Sequence, residues 1–148
     1  IAIADSFNIG NIIPRIVNIS APDTIVRPSD ETVALQLVSA EVFDADGLET
    51  IKWVGFTSYY VEGDSMMNKG DYIYLYDDGS DVILYPPNFT SGDDVSGDGI
   101  YSFRIPIYGT GFTDPDFQTK AGSFTWRFST QDASNEYSKT IEYDIIIQ

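Results

Sequence analysis

Apolar residues in this chain recur at every second position in short runs, and no segment sustains the spacing of a helix, which confines the fold to β-structure. Ile100 to Ile107 shows the pattern: Tyr101, Phe103, Ile105 and Ile107 share one face, and Ser102 and Arg104 the other. Ser123 to Thr130 turns Phe124, Trp126 and Phe128 inward, and Tyr137 to Ile147 alternates Ile141, Tyr143, Ile145 and Ile147 with Glu142 and Asp144. Arg15 to Ser20 and Thr24 to Arg27 read as one edge strand, interrupted near Pro22 and closed by Pro28. In Val33 to Phe43 the alternation slips between Leu37 and Val42, which predicts a bulge. Thr50 to Tyr60 and Tyr72 to Tyr76 complete seven strands, separated by Gly/Asp/Pro/Ser clusters. Trp53 and Trp126 are both expected on the inward side. The fold class predicted is all-β, a seven-stranded sandwich.

At 148 residues and 43% hydrophobic content the chain is sized for one domain with a single core. Its 23 acidic and 8 basic residues give a net charge of −15, a surface that repels phosphate backbones and excludes nucleic acid as a partner. No apolar run approaches the roughly 18 residues of a membrane span. Cysteine and histidine are both absent, which removes thiol chemistry, disulfides, the commonest general base and the commonest transition-metal ligand. There is no G-x-S-x-G elbow and no phosphate-cradling glycine loop. Carboxylate pairs could run glycoside hydrolysis, but the acids here stand in turn-like spacing, so the sequence reads as non-enzymatic.

Three stretches carry a family resemblance: Val38 to Gly47; Leu75 to Gly79 with Ser96 to Tyr101; and Phe124 to Ala133. Over about residues 14–148 the chain resembles the immunoglobulin-like, fibronectin-type-III-like modules of bacterial surface and secreted proteins. The tryptophan on the third strand has a counterpart in that superfamily; the paired cysteines of antibody domains do not. The resemblance implies a secreted or cell-surface location and a role as spacer, adhesive unit or carbohydrate-associated appendage.

Asp94-Val95-Ser96-Gly97-Asp98-Gly99 has the form D-x-S-x-D-G, oxygen side chains at alternate positions followed by the glycine of a sharp turn. Calcium wants six to eight oxygens, and the expected ligands here are the side chains of Asp94, Ser96 and Asp98 with the carbonyl of Ile100. An EF-hand would place a Glu at position 12, where this chain has Ile105 within a strand pattern, so further carboxylates must come from elsewhere. In a sandwich of the kind resembled, the connections after the second, fourth and sixth strands share one end. They would bring together Asp44, Asp46, Asp77, Asp78, Asp81, Asp93, Asp94, Asp98 and Asp132, nine of the seventeen aspartates. Asp44, Asp46, Asp77 and Asp78 are the candidates to complete the shell around a bound calcium.

Residues 1–13 precede the sandwich as an arm. Ile1-Ala2-Ile3-Ala4 and Phe7-Asn8-Ile9 have strand-like apolar spacing, set off by Gly10 and Pro14. Such an arm is expected to engage a sandwich edge, preferentially a neighbouring subunit's by strand addition, and head-to-tail addition gives a filament. The loop Gly109 to Phe117 is expected to be a packed Ω-loop whose Phe112 and Phe117 plug the end of the core. A first residue other than Met agrees with a processed secreted protein, and a last residue on the final strand with a following domain. The function expected is a non-catalytic extracellular structural or adhesive subunit, calcium-stabilised at one pole. The alternative is a carbohydrate-binding accessory module, which would show exposed, coplanar aromatics on one sheet face.

Overall fold

The computed structural model describes residues 12–148, so the strand-donating arm expected over Ile1 to Asn11 lies outside the described residues. Strands β1 (Arg15–Ser20), β3 (Val33–Phe43) and β7 (Ile100–Tyr108) form one sheet in the order β1-β3-β7. The second sheet runs β2 (Thr24–Ile25), β9 (Ile141–Ile147), β8 (Gly122–Asp132), β4 (Ile51–Tyr60) and β5 (Ser65–Met66), and β6 (Ile73–Leu75) also pairs with β4. This is an immunoglobulin-like β-sandwich, as the alternation predicted. The expected first strand is divided between the sheets: β1 pairs antiparallel with β3, and after Pro22 the chain crosses over so that β2 pairs parallel with β9. A further short strand, β5, was not read from the sequence.

The core lies between the sheets. Val38, Ala40 and Val42 from β3 and Ile107 from β7 face Val54 and Phe56 from β4, Phe124, Trp126 and Phe128 from β8, and Ile145 and Ile147 from β9. Its centre is aromatic, with Phe56 4.7 Å from Trp126 and 4.8 Å from Phe128 between ring centroids. Offset and tilted contacts of this kind suit the ring quadrupoles, and each such pair adds about 0.5–1.5 kcal/mol beyond area burial.

Four sequence expectations need correction. The slip predicted in β3 is absent, since β3 pairs with β7 without interruption from Val33 to Glu41. The irregularity lies across the ladder in β1, between Ile16 and Asn18. The apolar residues that blurred the pattern, Leu35 and Leu37, point outward and are exposed. Trp53 is the second correction. Val54, Phe56 and Ser58 are the buried side chains of β4, with Gly55 buried between them, and a register shift between Ile51 and Trp53 accompanies the indole's place on the outer face. There its Nε1 donates to Gln131 Oε1 at 2.8 Å. The last strand begins at Ile141 rather than Tyr137, whose ring is exposed and whose backbone makes only a bridge to Gln131. Finally, Phe112 and Phe117 stack against Tyr108 and one another at 5.7–6.2 Å instead of plugging the core, and Phe117 stays exposed.

Candidate metal centre at the acidic pole

The connection from β6 to β7, residues 76–99, folds back over the outer side of β7. Arg104 anchors it, donating from Nη2 to the Thr90 carbonyl at 2.8 Å while its guanidinium lies 5.1 Å above the Phe89 ring. Ser91 is wholly buried beneath this flap, and Asp93 is 4% exposed. The flap returns to β7 through Gly97 and Gly99, both at positive φ. At Gly99 a β-carbon would also sit 3.1 Å from the Val42 carbonyl, so the glycine is required by conformation and by space.

This path gathers three carboxylates. One oxygen from each of Asp77, Asp93 and Asp98 lies within 4.8 Å of the other two. Asp77 is held by two backbone amides, Gly97 N–H to Oδ1 and Gly99 N–H to Oδ2, each 2.9 Å. Asp93 Oδ2 accepts from Gly79 N–H at 2.8 Å, and Asp98 Oδ1 from Ile100 N–H at 3.0 Å. Asp78 stands alongside. Its Oδ1 accepts from Ser91 Oγ at 2.7 Å and from Ser80 N–H at 3.0 Å, while its Oδ2 is buried with no hydrogen-bond partner among the described residues.

Electrostatics mark the same place. Burial raises the pKa of Asp77 above the ordinary carboxylate value, the Gly99 amide opposes this, and Asp98 and Asp93 push it further up. Burial likewise raises Asp93, against the Gly79 amide and with Asp98 adding repulsion. Tyr101, beneath the group, is pushed up to about 12 by burial first and then by Asp77 and Asp93. Carboxylates this close repel one another, and protons or a cation would relieve that repulsion.

The geometry fits a hard cation. Calcium–oxygen distances run about 2.3–2.6 Å, so ligands on opposite sides of the ion are roughly 4.6–5.2 Å apart and adjacent ones closer. The 4.8 Å envelope matches that sphere. Three carboxylate oxygens are fewer than calcium's six to eight, which leaves room for further oxygens or water.

Of the sequence-predicted ligands, Asp77 and Asp98 enter the group. Asp94 is exposed and outside it, and Ser96 Oγ donates to the Asp77 carbonyl at 3.4 Å. Ile100 is placed through its amide, which holds Asp98. Asp44 is buried but engaged in its own turn, accepting from Asp46 N–H at 2.9 Å and Thr50 Oγ1 at 3.1 Å. Asp46 accepts from Ile12 N–H at 2.8 Å. Asp132, fully buried, caps the β8–β9 turn through Ser134 N–H and Glu136 N–H at 3.0 and 2.9 Å. The pole is therefore acidic for two reasons: some aspartates cap turns, and three converge. Asp93 was absent from the predicted shell. It adjoins Asp94 in the same acidic loop, and the fold buries Asp93 while leaving Asp94 exposed.

The outer face of the second sheet carries aromatics, as the alternative reading required. Trp53 contacts Tyr72, Tyr74 and Tyr137 at centroid distances of 4.7, 5.8 and 6.1 Å. The interplanar angles are 47°, 74° and 65°, so these rings make no flat platform for a sugar.

No protein-family model matches the chain, and no curated protein sequence does either. Among solved structures, it is similar to the PKD domain of an M14-like peptidase from Thermoplasmatales archaeon SCGC AB-540-F20, with 14% identity and a TM-score of 0.45 over 93% of this chain and 97% of that one. It is also similar to a Niemann-Pick type C2 protein from Japanese carpenter ant, with 12% identity and a TM-score of 0.42 over 94% and 96% of the two chains. Among the described residues no helix is long and apolar enough to cross a membrane.

Proposed function

We propose that this protein is a non-catalytic extracellular β-sandwich module with a structural or adhesive role, whose acidic pole is locked by calcium. The observation that carries the reading is the convergence of Asp77, Asp93 and Asp98 within 4.8 Å, beside the unpartnered buried oxygen of Asp78. A calcium ion there offsets most of the charge of three carboxylates and ties the start of the flap, at Asp77, to its returning end, at Asp93 and Asp98. It converts a repulsive pole into a rigid one.

Hydrolytic use of the same acids is disfavoured by their placement. Asp93, at 4% exposure, is nearly inaccessible to a sugar. Supporting a module role, the strands of the described residues all belong to two sheets packed on one core.

The test is a melting series at fixed protein concentration. Because calcium would bind the folded state alone, the melting temperature should rise with the logarithm of free calcium and fall to a floor in chelator. Equal melting temperatures in chelator and in millimolar calcium would remove the cation from the account.

A further inference from the structure

A second cleft of about 1040 Å³ opens between the sheets on the side away from β1. One lip is β7 from Phe103 to Tyr108, the other is the segment from Met67 to Tyr76, and Phe124, Trp126 and Ile147 form the floor. Its volume is at the upper end of the range typical of small-molecule sites. Its lining is unusual for this chain. Among the described residues no acidic one lines the cleft, and the one charged side chain that does is Lys120, at the exposed rim. Val33, Leu35, Tyr74 and Tyr85 line it while remaining solvent-exposed.

An added β-strand is a poor occupant. Ser102 exchanges backbone hydrogen bonds with Tyr76, so the residues of β7 whose amides face the cleft are Ser102, Arg104, Pro106 and Tyr108. Ser102 is taken, Pro106 has no N–H, and Tyr108 N–H donates to Thr119 Oγ1 at 2.8 Å. Three of the four edge positions thus offer an incoming strand no donor, the usual protection of an edge by proline and side-chain capping.

We infer that this cleft binds an amphiphile with an alkyl chain and an anionic head, the chain lying between the sheets over Trp126 and the head at Lys120. An alkyl chain matches a wall of Phe103, Ile105, Phe124 and Ile147 and needs no hydrogen bonds there. An anionic head suits a lining that, in a strongly acidic chain, holds a cation and no carboxylate among the described residues. This inference stands on the cleft and does not depend on calcium binding.

The probe is a brominated stearate, below its micellar concentration, titrated into the full chain carrying Trp53→Phe so that Trp126 is the remaining indole, in calcium and again in chelator. Saturable quenching at one molecule per chain is expected in both buffers. Lys120→Gln should weaken the acid severalfold and leave the uncharged methyl ester unchanged, and Leu35→Glu, at an exposed lip position, should weaken both. The melting temperature of each variant checks that it folds. No saturable quenching overturns the inference, as does quenching unaltered in both variants. Self-association abolished by Leu35→Glu and indifferent to the acid would also overturn it and make the lip a protein contact.

Discussion

Replacing Asp98 by Asn should change the sign of its effect on stability according to whether calcium is present. Asp98 is exposed, and its amide replacement can still accept from Ile100 N–H, so the substitution removes a charge with little other disturbance. Two unit charges 4.8 Å apart, the widest spacing in the group, repel by about 0.9 kcal/mol in water and about 3.5 kcal/mol at an effective dielectric constant of 20. Exposure keeps Asp98 near the lower figure. With Asp77 and Asp93 both facing it, its removal should relieve about 2 kcal/mol in metal-free protein. For a domain of this size that corresponds to a melting temperature higher by about 4–8 °C. In calcium the balance reverses. Wild-type protein at a hundredfold excess over its dissociation constant gains about 2.7 kcal/mol, and the variant, lacking one charged ligand, gains far less. Scanning calorimetry of both proteins in chelator and in calcium should therefore show the variant melting above wild type in the first buffer and below it in the second. The same ordering in both buffers would refute the reasoning.

Acidity should act on the site with a definable sign. Asp77 and Asp93 have pKa values raised in the fold, so without metal their contribution to stability is full below the ordinary carboxylate pKa near 3.9 and is lost as pH rises through their folded values. Calcium stabilises the ionised form, so the calcium-induced rise in melting temperature should grow with pH above about 4; a constant increment would contradict this. The Tyr101 phenol, at about 12, should titrate lower once calcium offsets Asp77 and Asp93, read by tyrosinate absorbance in native protein. Trp126→Ala should cost about 3–5 kcal/mol in urea unfolding, whereas Trp53→Ala on the outer face should cost clearly less; equal costs would return Trp53 to the core. If residues 1–11 donate a strand, deleting them should abolish filaments seen by negative-stain microscopy, and identical monomers with and without them would leave that segment a linker.

Period-two alternation was enough to place β7, β8 and most of β9, because in each the inward residues are large and the outward ones polar. It failed where the outer face is itself apolar. Leu35 and Leu37 line or adjoin the lip of the second cleft, and Trp53 packs against Tyr72 outside the sheet, so both broke a rule that assumes a wet outer surface. The acidic pole was legible as a whole, since strand order dictates which loops share an end. Its membership was not. Asp44 and Asp132 are as buried as any ligand would be, yet both oxygens of Asp44 and the Oδ1 of Asp132 are engaged in turn amides and a hydroxyl, while Asp132 Oδ2 is buried without a partner among the described residues, and sequence spacing cannot tell a cap from a ligand. The D-x-S-x-D-G segment serves largely by lending its Gly97 and Gly99 amides to Asp77, a use of its backbone that side-chain spacing does not encode.

Crystals of the protein grown with calcium, measured at a wavelength where calcium scatters anomalously, test the central claim most directly. The account predicts one anomalous peak bounded by the carboxylates of Asp77, Asp93 and Asp98, at about 2.3–2.6 Å from an oxygen of each. A peak held by Asp94 and Ser96 without Asp93, or no peak at the pole in millimolar calcium, would contradict it.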